Sequence, residues 1–191
     1  AAEMSGIFTI SIDVEVAWGR CALSLTEIER ARLRRERAIV DRLLALFAAY
    51  DIRATWAVVG HLLESSCAWD GERPHPEISR PILAGESRDW LFQHPAPGAQ
   101  DDALWYGRDL VERIRNTSPA QEIGSHSYCH LPYDERLASR AAVTADLAAA
   151  VRLHRLNGLP FRSFVFPRNI VGYTDVLAAS GIACYRGKTP A

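Results

Sequence analysis

From Ile7 to Val16 the chain reads IFTISIDVEV, and from Arg53 to Val59 it reads RATWAVV. β-Branched and aromatic residues dominate both runs, which predicts two strands. The first is apolar on both alternations until Asp13, as expected of a strand covered on both faces. Between them, Thr26-Glu-Ile-Glu29 has the form of a capping box and opens a helix predicted to reach about Tyr50. Ile39, Leu43, Leu46 and Phe47 recur at helical spacing and form its predicted inward stripe. Strand, helix and strand in that order predict a parallel α/β architecture.

Further along the chain, the pattern predicts a helix over 104–116, a short strand over 121–125 and a helix over 139–157 closed by Gly158 and Pro160. Strands over 163–166 and 182–185 flank a helix near 173–180. Five strands with helices between them make an open sheet or part of a barrel. The stretch from about 65 to 103 is punctuated by Pro74, Pro76, Pro81, Pro95, Pro97, Gly71, Gly85 and Gly98. A stretch of that length reads as a surface insertion bordering a substrate groove. With 191 residues and no internal repeat, the expectation for 1–191 is a single domain.

The formal net charge is −1, which argues against nucleic acid, whose recognition needs clustered positive charge. The basic cluster between Arg30 and Arg37 is interleaved with Glu27, Glu29 and Glu36 and reads as a solvated helix face. Cys21, Cys67, Cys129 and Cys184 are scattered with no C-x-x-C pair, so a reducing compartment is expected. No apolar run approaches the roughly 18–20 residues of a membrane helix. The first residues, with Met4 as a natural start, show no signal peptide. Cytoplasmic localisation is the expectation, with the oligomeric state left open.

Two features carry chemistry. In a strand, residues i and i+2 project from one face, so Asp13 and Glu15 present two carboxylates side by side. Either both are hydrated at a strand end, or a cation or proton resolves their repulsion. The second feature is Gly124-Ser-His126-Ser-Tyr-Cys-His130. Two histidines at i and i+4 share a face if the segment begins a helical turn, a spacing that suits one ion; the same spacing also arises by chance. Cys129, at i+3 from His126, reads as a packed thiol. Together, two histidines and one carboxylate make a three-ligand site of catalytic composition, with the spare carboxylate free to take a proton from attacking water.

The sequence resembles the polysaccharide deacetylase family, the group with NodB homology, in a D-x-E variant branch. His126-Ser127-Tyr128-Cys129-His130 matches the family's H-[ST]-x-x-H motif, and Asp13-Val14-Glu15 its first, acidic motif. Ala54 to Gly60 resembles the strand after the first helix, and Phe164 to Asn169 the third motif region. The resemblance implies a distorted (β/α) barrel, with Asp13 as general base and Glu15, His126 and His130 as ligands of a divalent metal. Zn comes first, with Co, Fe or Ni as alternatives; the roles of Asp13 and Glu15 are exchangeable. Ser127 would stabilise the loop between the ligands.

Two departures stand out. The family's third-motif arginine falls at Val165, while Arg168 occupies the aromatic position; Arg168 is carried as a catalytic candidate that orients Asp13 or binds substrate, beside the reading of an ordinary surface arginine. The sequence also ends at Ala191 before the family's tryptophan-bearing and L-x-H motifs, so the barrel is expected to be incomplete at the C-terminus. Neither His94 nor His154 obviously replaces the missing acid. The implied reaction is removal of N-acetyl groups from a sugar or glycan intermediate of surface glycan synthesis. Trp18, Trp90, Trp105, Tyr106 and Tyr128 either stack on sugar faces or pack in the core. The rival readings are a non-catalytic carbohydrate-binding relative and an amidohydrolase of a small non-sugar amide.

Overall fold

The computed structural model describes residues 7–21, 23–71, 73–80, 90–91 and 102–187. Five strands form one parallel sheet: β1 (Ser11–Val14), β2 (Thr55–Val58), β5 (Glu122–Ser125), β6 (Ser163–Val165) and β7 (Cys184–Arg186), in the order β1-β2-β5-β6-β7. Asp13 lies opposite Ala57 in the register, and Ala57 opposite Gly124. A parallel sheet needs crossover connections. They are made by α1 (Glu27–Ala49), by α2 (Asp102–Trp105) with α3 (Arg108–Arg115), by α4 (Arg140–Leu156) and by α5 (Thr174–Ala179). A two-residue-per-strand hairpin, β3 (Trp69–Asp70) with β4 (Arg73–Pro74), stands apart from the sheet.

The sheet is strongly curled. Four steps of about 4.8 Å would hold the edge strands about 19 Å apart in a flat sheet, farther than one side chain can span. Yet Arg186 on β7 donates to Ser11 Oγ at 3.0 Å and to both carboxylate oxygens of Asp13 on β1. The two edges therefore face each other, giving the half-barrel expected from the sequence.

Local chemistry accounts for most boundaries. The Thr26 capping box forms in full, an arrangement that stabilises a helix start by about 1 kcal/mol. The inward stripe of α1, however, is Leu33, Val40, Leu44 and Phe47, while Ile39 and Leu46 are about half exposed. The predicted stripe was one residue out of phase at two positions, because a run dense in apolar residues has more than one candidate face. β1 is also shorter than its apolar run: Ile7 and Phe8 are exposed, and pairing starts at Ser11. The helix expected over 104–116 breaks at Tyr106–Gly107, where the Gly107 N–H donates to Leu62 O at 2.8 Å. Trp18, Trp90, Trp105 and Tyr128 are fully buried, and of the aromatic residues considered for sugar stacking only Tyr106 is even partly accessible. Core packing is their role, since a ring with no exposed face cannot meet a sugar. Most of the 65–103 stretch, His94 included, lies outside the described residues.

Candidate metal centre

The centre is assembled at the carboxyl ends of β1 and β5. β1 ends at Val14, and Glu15 turns the chain into the short 3-10 segment Val16–Arg20. His126 directly follows β5. Glu15 Oε1 stands 2.9 Å from His126 Nε2 and 3.2 Å from His130 Nε2. The two imidazole centroids are 5.0 Å apart. Asp13 Oδ2 lies 4.0 Å from His126 Nε2, so both carboxylates turn toward the same histidine.

The residues from 126 to 130 do not form the helical turn that the i, i+4 spacing suggested. Ser127 and His130 both adopt positive φ, 61° and 56°. The resulting tight turn is held by side chains in place of helical hydrogen bonds. Ser127 Oγ accepts from Leu131 N at 3.0 Å, a loop-stabilising contact of the kind its motif position implied. Asp146, fully buried on α4, accepts from Tyr128 N at 3.0 Å, Cys129 N at 3.1 Å and the Tyr133 hydroxyl at 3.1 Å. It also accepts from Cys129 Sγ at 3.2 Å. Cys129 is thus a packed thiol, pushed well above its ordinary pKa by burial and then by the Asp146 charge.

The two histidines differ in support. His126 Nδ1 lies 2.7 Å from Val165 O. A carbonyl can only accept, so Nδ1 carries a proton, and Nε2 is the nitrogen turned to Glu15, 2.9 Å from Oε1. His130 is buried, and neither of its ring nitrogens makes a hydrogen bond of good geometry among the described residues. Burial lowers the His130 pKa, against the pull of Glu15. Burial would raise the Glu15 carboxyl, but the His126 and His130 imidazoles beside it outweigh that and hold the group well below the usual carboxylate range. An ionised carboxylate, a tautomer-fixed imidazole and an imidazole lacking a good hydrogen-bond partner are the donor set a divalent ion takes. These residues fit the implied metal.

Gly19 makes room for that carboxylate. A Cβ at position 19 would come 1.9 Å from Glu15 Oε2 and 3.0 Å from Glu15 Cδ. The obstructed atoms are the end of a flexible side chain, so Gly19→Ala is expected to cost little in thermal stability while swinging Glu15 away from the histidines. A metal titration should show affinity reduced by about 10- to 100-fold; unchanged affinity would mean that Glu15 is not held by this contact.

Glu36 on α1 shares a cavity of about 420 Å³ with Asp13, Glu15, Gly19 and Ile39. Burial, and then the negative charge of Glu15, raise its pKa from 4.5 to about 7. The unfolded chain releases this proton near 4.5 and the folded chain near 7, so the native state loses stability as pH rises through that interval. Glu36→Gln removes the titration. In metal-free protein the variant should gain more in Tm at pH 8 than at pH 5, and an equal gain at both would contradict the assignment.

The guanidinium on Asp13 is that of Arg186, at 2.9 and 2.7 Å, with a further bond to Asn169 Oδ1 at 3.0 Å. Arg186 was not foreseen: it lies on a short terminal strand with no motif around it. Arg168, one of the two arginines near the third motif region, has positive φ and sits 5.7 Å over the Trp90 ring. It is near enough to His130 to disfavour protonation there. Trp90 Nε1 in turn donates to Cys129 O at 2.9 Å, pinning the histidine turn from the insertion side. His154 is buried near the end of α4, with Nδ1 2.9 Å from Pro160 O.

No protein-family model matches the sequence, and no curated protein matches it. Solved structures do resemble it. Over 93% of its length, at 14% identity and a TM-score of 0.53, the chain superposes on BA3943, described as a CE4 family pseudoenzyme from Bacillus anthracis. A mutant of the same pseudoenzyme gives 15% identity over 93% of this chain, again with a TM-score of 0.53. The deacetylase domain of BpsB from Bordetella bronchiseptica aligns with 80% of this chain and 60% of that domain's chain, at 16% identity and a TM-score of 0.47. The chain spans about two fifths of the pseudoenzyme's length, 41% and 43% in the two structures. The curled parallel sheet with its crossover helices is thus the fold found in the CE4, or polysaccharide deacetylase, family.

Proposed function

We propose that this chain is a deacetylase domain that removes N-acetyl groups from a sugar or glycan with the help of a divalent metal, Zn first. The observation that carries the reading is the convergence of Glu15 Oε1 on two histidine Nε2 atoms at 2.9 and 3.2 Å, with Asp13 beside them. Glu15, His126 and His130 would hold the ion. Such an ion acidifies water and polarises an amide carbonyl. Asp13 reaches solvent at the rim and is positioned to take the proton of the attacking water. Arg186 grips Asp13 through both oxygens, which fixes the carboxylate's direction. The Val165 carbonyl holds His126 in the ligand tautomer. An open cleft of about 720 Å³ at the same end of the sheet, bordered by Tyr133, Asp134, Val171 and the half-exposed Tyr185, gives a chain of sugars room to lie. Among the described residues no helix is long and apolar enough to cross a membrane, which is compatible with a cytoplasmic glycan intermediate as substrate.

A non-catalytic relative is the second reading. It is favoured by the pseudoenzyme among the structural neighbours and by His154, the one described candidate for the proton donor, being buried and turned to Pro160. One experiment separates the two: elemental analysis of wild type and of the His126→Ala/His130→Ala double variant, beside acetate release from N-acetylated sugars. Near-stoichiometric metal that is lost in the variant, with acetate released by the wild type, supports the deacetylase. Metal without acetate supports the non-catalytic reading. Protein that binds no Zn, Co, Fe or Ni would remove both.

A further inference from the structure

A second cluster of metal-ligating side chains lies outside the site just described. The 3-10 segment Gly60–Leu63 after β2 carries His61, the hairpin arm carries Cys67, and His75 follows β4. One ligand atom from each falls within 4.8 Å of the others. His61 Nε2 is 2.9 Å from Cys67 Sγ and 2.9 Å from His75 Nε2. His61 and His75 are buried, and Cys67 is partly so.

The other ring nitrogens determine what these atoms present. His61 Nδ1 stands 3.1 Å from Trp105 O, and His75 Nδ1 stands 3.1 Å from Glu77 Oε1. A carbonyl and an ionised carboxylate only accept, so each Nδ1 carries its ring's proton and each Nε2 presents a lone pair. Two imidazole nitrogens that meet at 2.9 Å in a buried place, with a thiol sulfur 2.9 Å from one of them, converge as the ligands of one ion do. A carbonyl or carboxylate behind each imidazole is also the support that metal-binding histidines receive.

We propose that His61, Cys67 and His75 form a second metal site, one for zinc, that clips the hairpin arm to the half-barrel. A cysteine with two histidines suits zinc over the harder Mg or Ca. Tetrahedral Zn–N bonds of about 2.05 Å and a Zn–S bond of about 2.3 Å separate two nitrogens by about 3.3 Å and nitrogen from sulfur by about 3.6 Å, so the cluster opens by about 0.4 to 0.7 Å to admit the ion. Binding releases the Cys67 thiol proton to solvent. Tyr106 Oη, 2.9 Å from Cys67 Sγ, either donates to the thiolate or stands aside for a water in the fourth position. The clip sits directly behind the first site: Trp105 O, which accepts from His61, also accepts from Trp18 Nε1 at 3.0 Å in the segment that follows Glu15. The spacings of six and eight residues between the three ligands match no common motif.

Sulfur makes the proposal testable apart from the Glu15 centre, which has none. Metal-free protein titrated with Co(II) is expected to develop a thiolate-to-cobalt charge-transfer band in the near ultraviolet. Cys67→Ser should abolish the band, and His126→Ala should leave it unchanged. Elemental analysis should show Cys67→Ser and His75→Ala each binding one equivalent of zinc less than wild type. Wild-type protein that binds Co(II) without the band would overturn the site, and this result stands even if the variants fold poorly. A band that persists in Cys67→Ser would overturn it equally.

Discussion

Asp13→Asn is expected to lower acetate release by about 100- to 10,000-fold, the range lost when a positioned general base is removed, while metal content stays at the wild-type level. The geometry motivates both halves of this expectation. Asp13 Oδ2 is 4.0 Å from His126 Nε2 and Glu15 Oε1 is 2.9 Å from it, so Glu15 is the carboxylate nearer the histidine and Asp13 the farther one. Asparagine keeps the shape and one acceptor for Arg186 but cannot take a proton from water. A loss of metal in Asp13→Asn would instead assign Asp13 to the ion, the exchange of roles left open by the sequence. Metal and rate both unchanged would show that Asp13 serves only the pairing with Arg186 that ties β7 to β1.

The second large effect is on stability. Asp146→Ala is expected to cost about 3 kcal/mol or more in chemical denaturation, because it strands the buried N–H groups of Tyr128 and Cys129, at about 1–3 kcal/mol each, along with the Tyr133 hydroxyl. Asp146→Asn should rescue little. Oδ1 and Oδ2 each accept a backbone N–H, so whichever way the amide is turned, its NH2 group points at a donor. Surviving protein should also bind metal less tightly, since the turn carrying His126 and His130 loses the anchor that shapes it. A loss below about 1 kcal/mol would mean that water takes over the carboxylate's bonds.

The alternation of strands and helices is legible along the sequence, because β-branched runs, a capping box and Gly/Pro stops are local signals. The sequence also singled out Glu15, His126 and His130, because acids at i, i+2 on a strand end and histidines four apart are visible in one dimension. The tight turn between the histidines was not visible, since positive φ at Ser127 and His130 is imposed by Asp146 from another helix. A trace of it exists: Asp146 interrupts the run of buried apolar residues Ala142, Val143, Leu147 and Ala150 on α4, and a carboxylate there needs donors from elsewhere. Arg186 and the His61, Cys67 and His75 cluster left no such trace. Their partners are 173 residues away in one case and irregularly spaced in the other. Only the curl of the sheet, which brings β7 round to β1, and the folding of the hairpin arm against Trp105 decide which of these side chains meet.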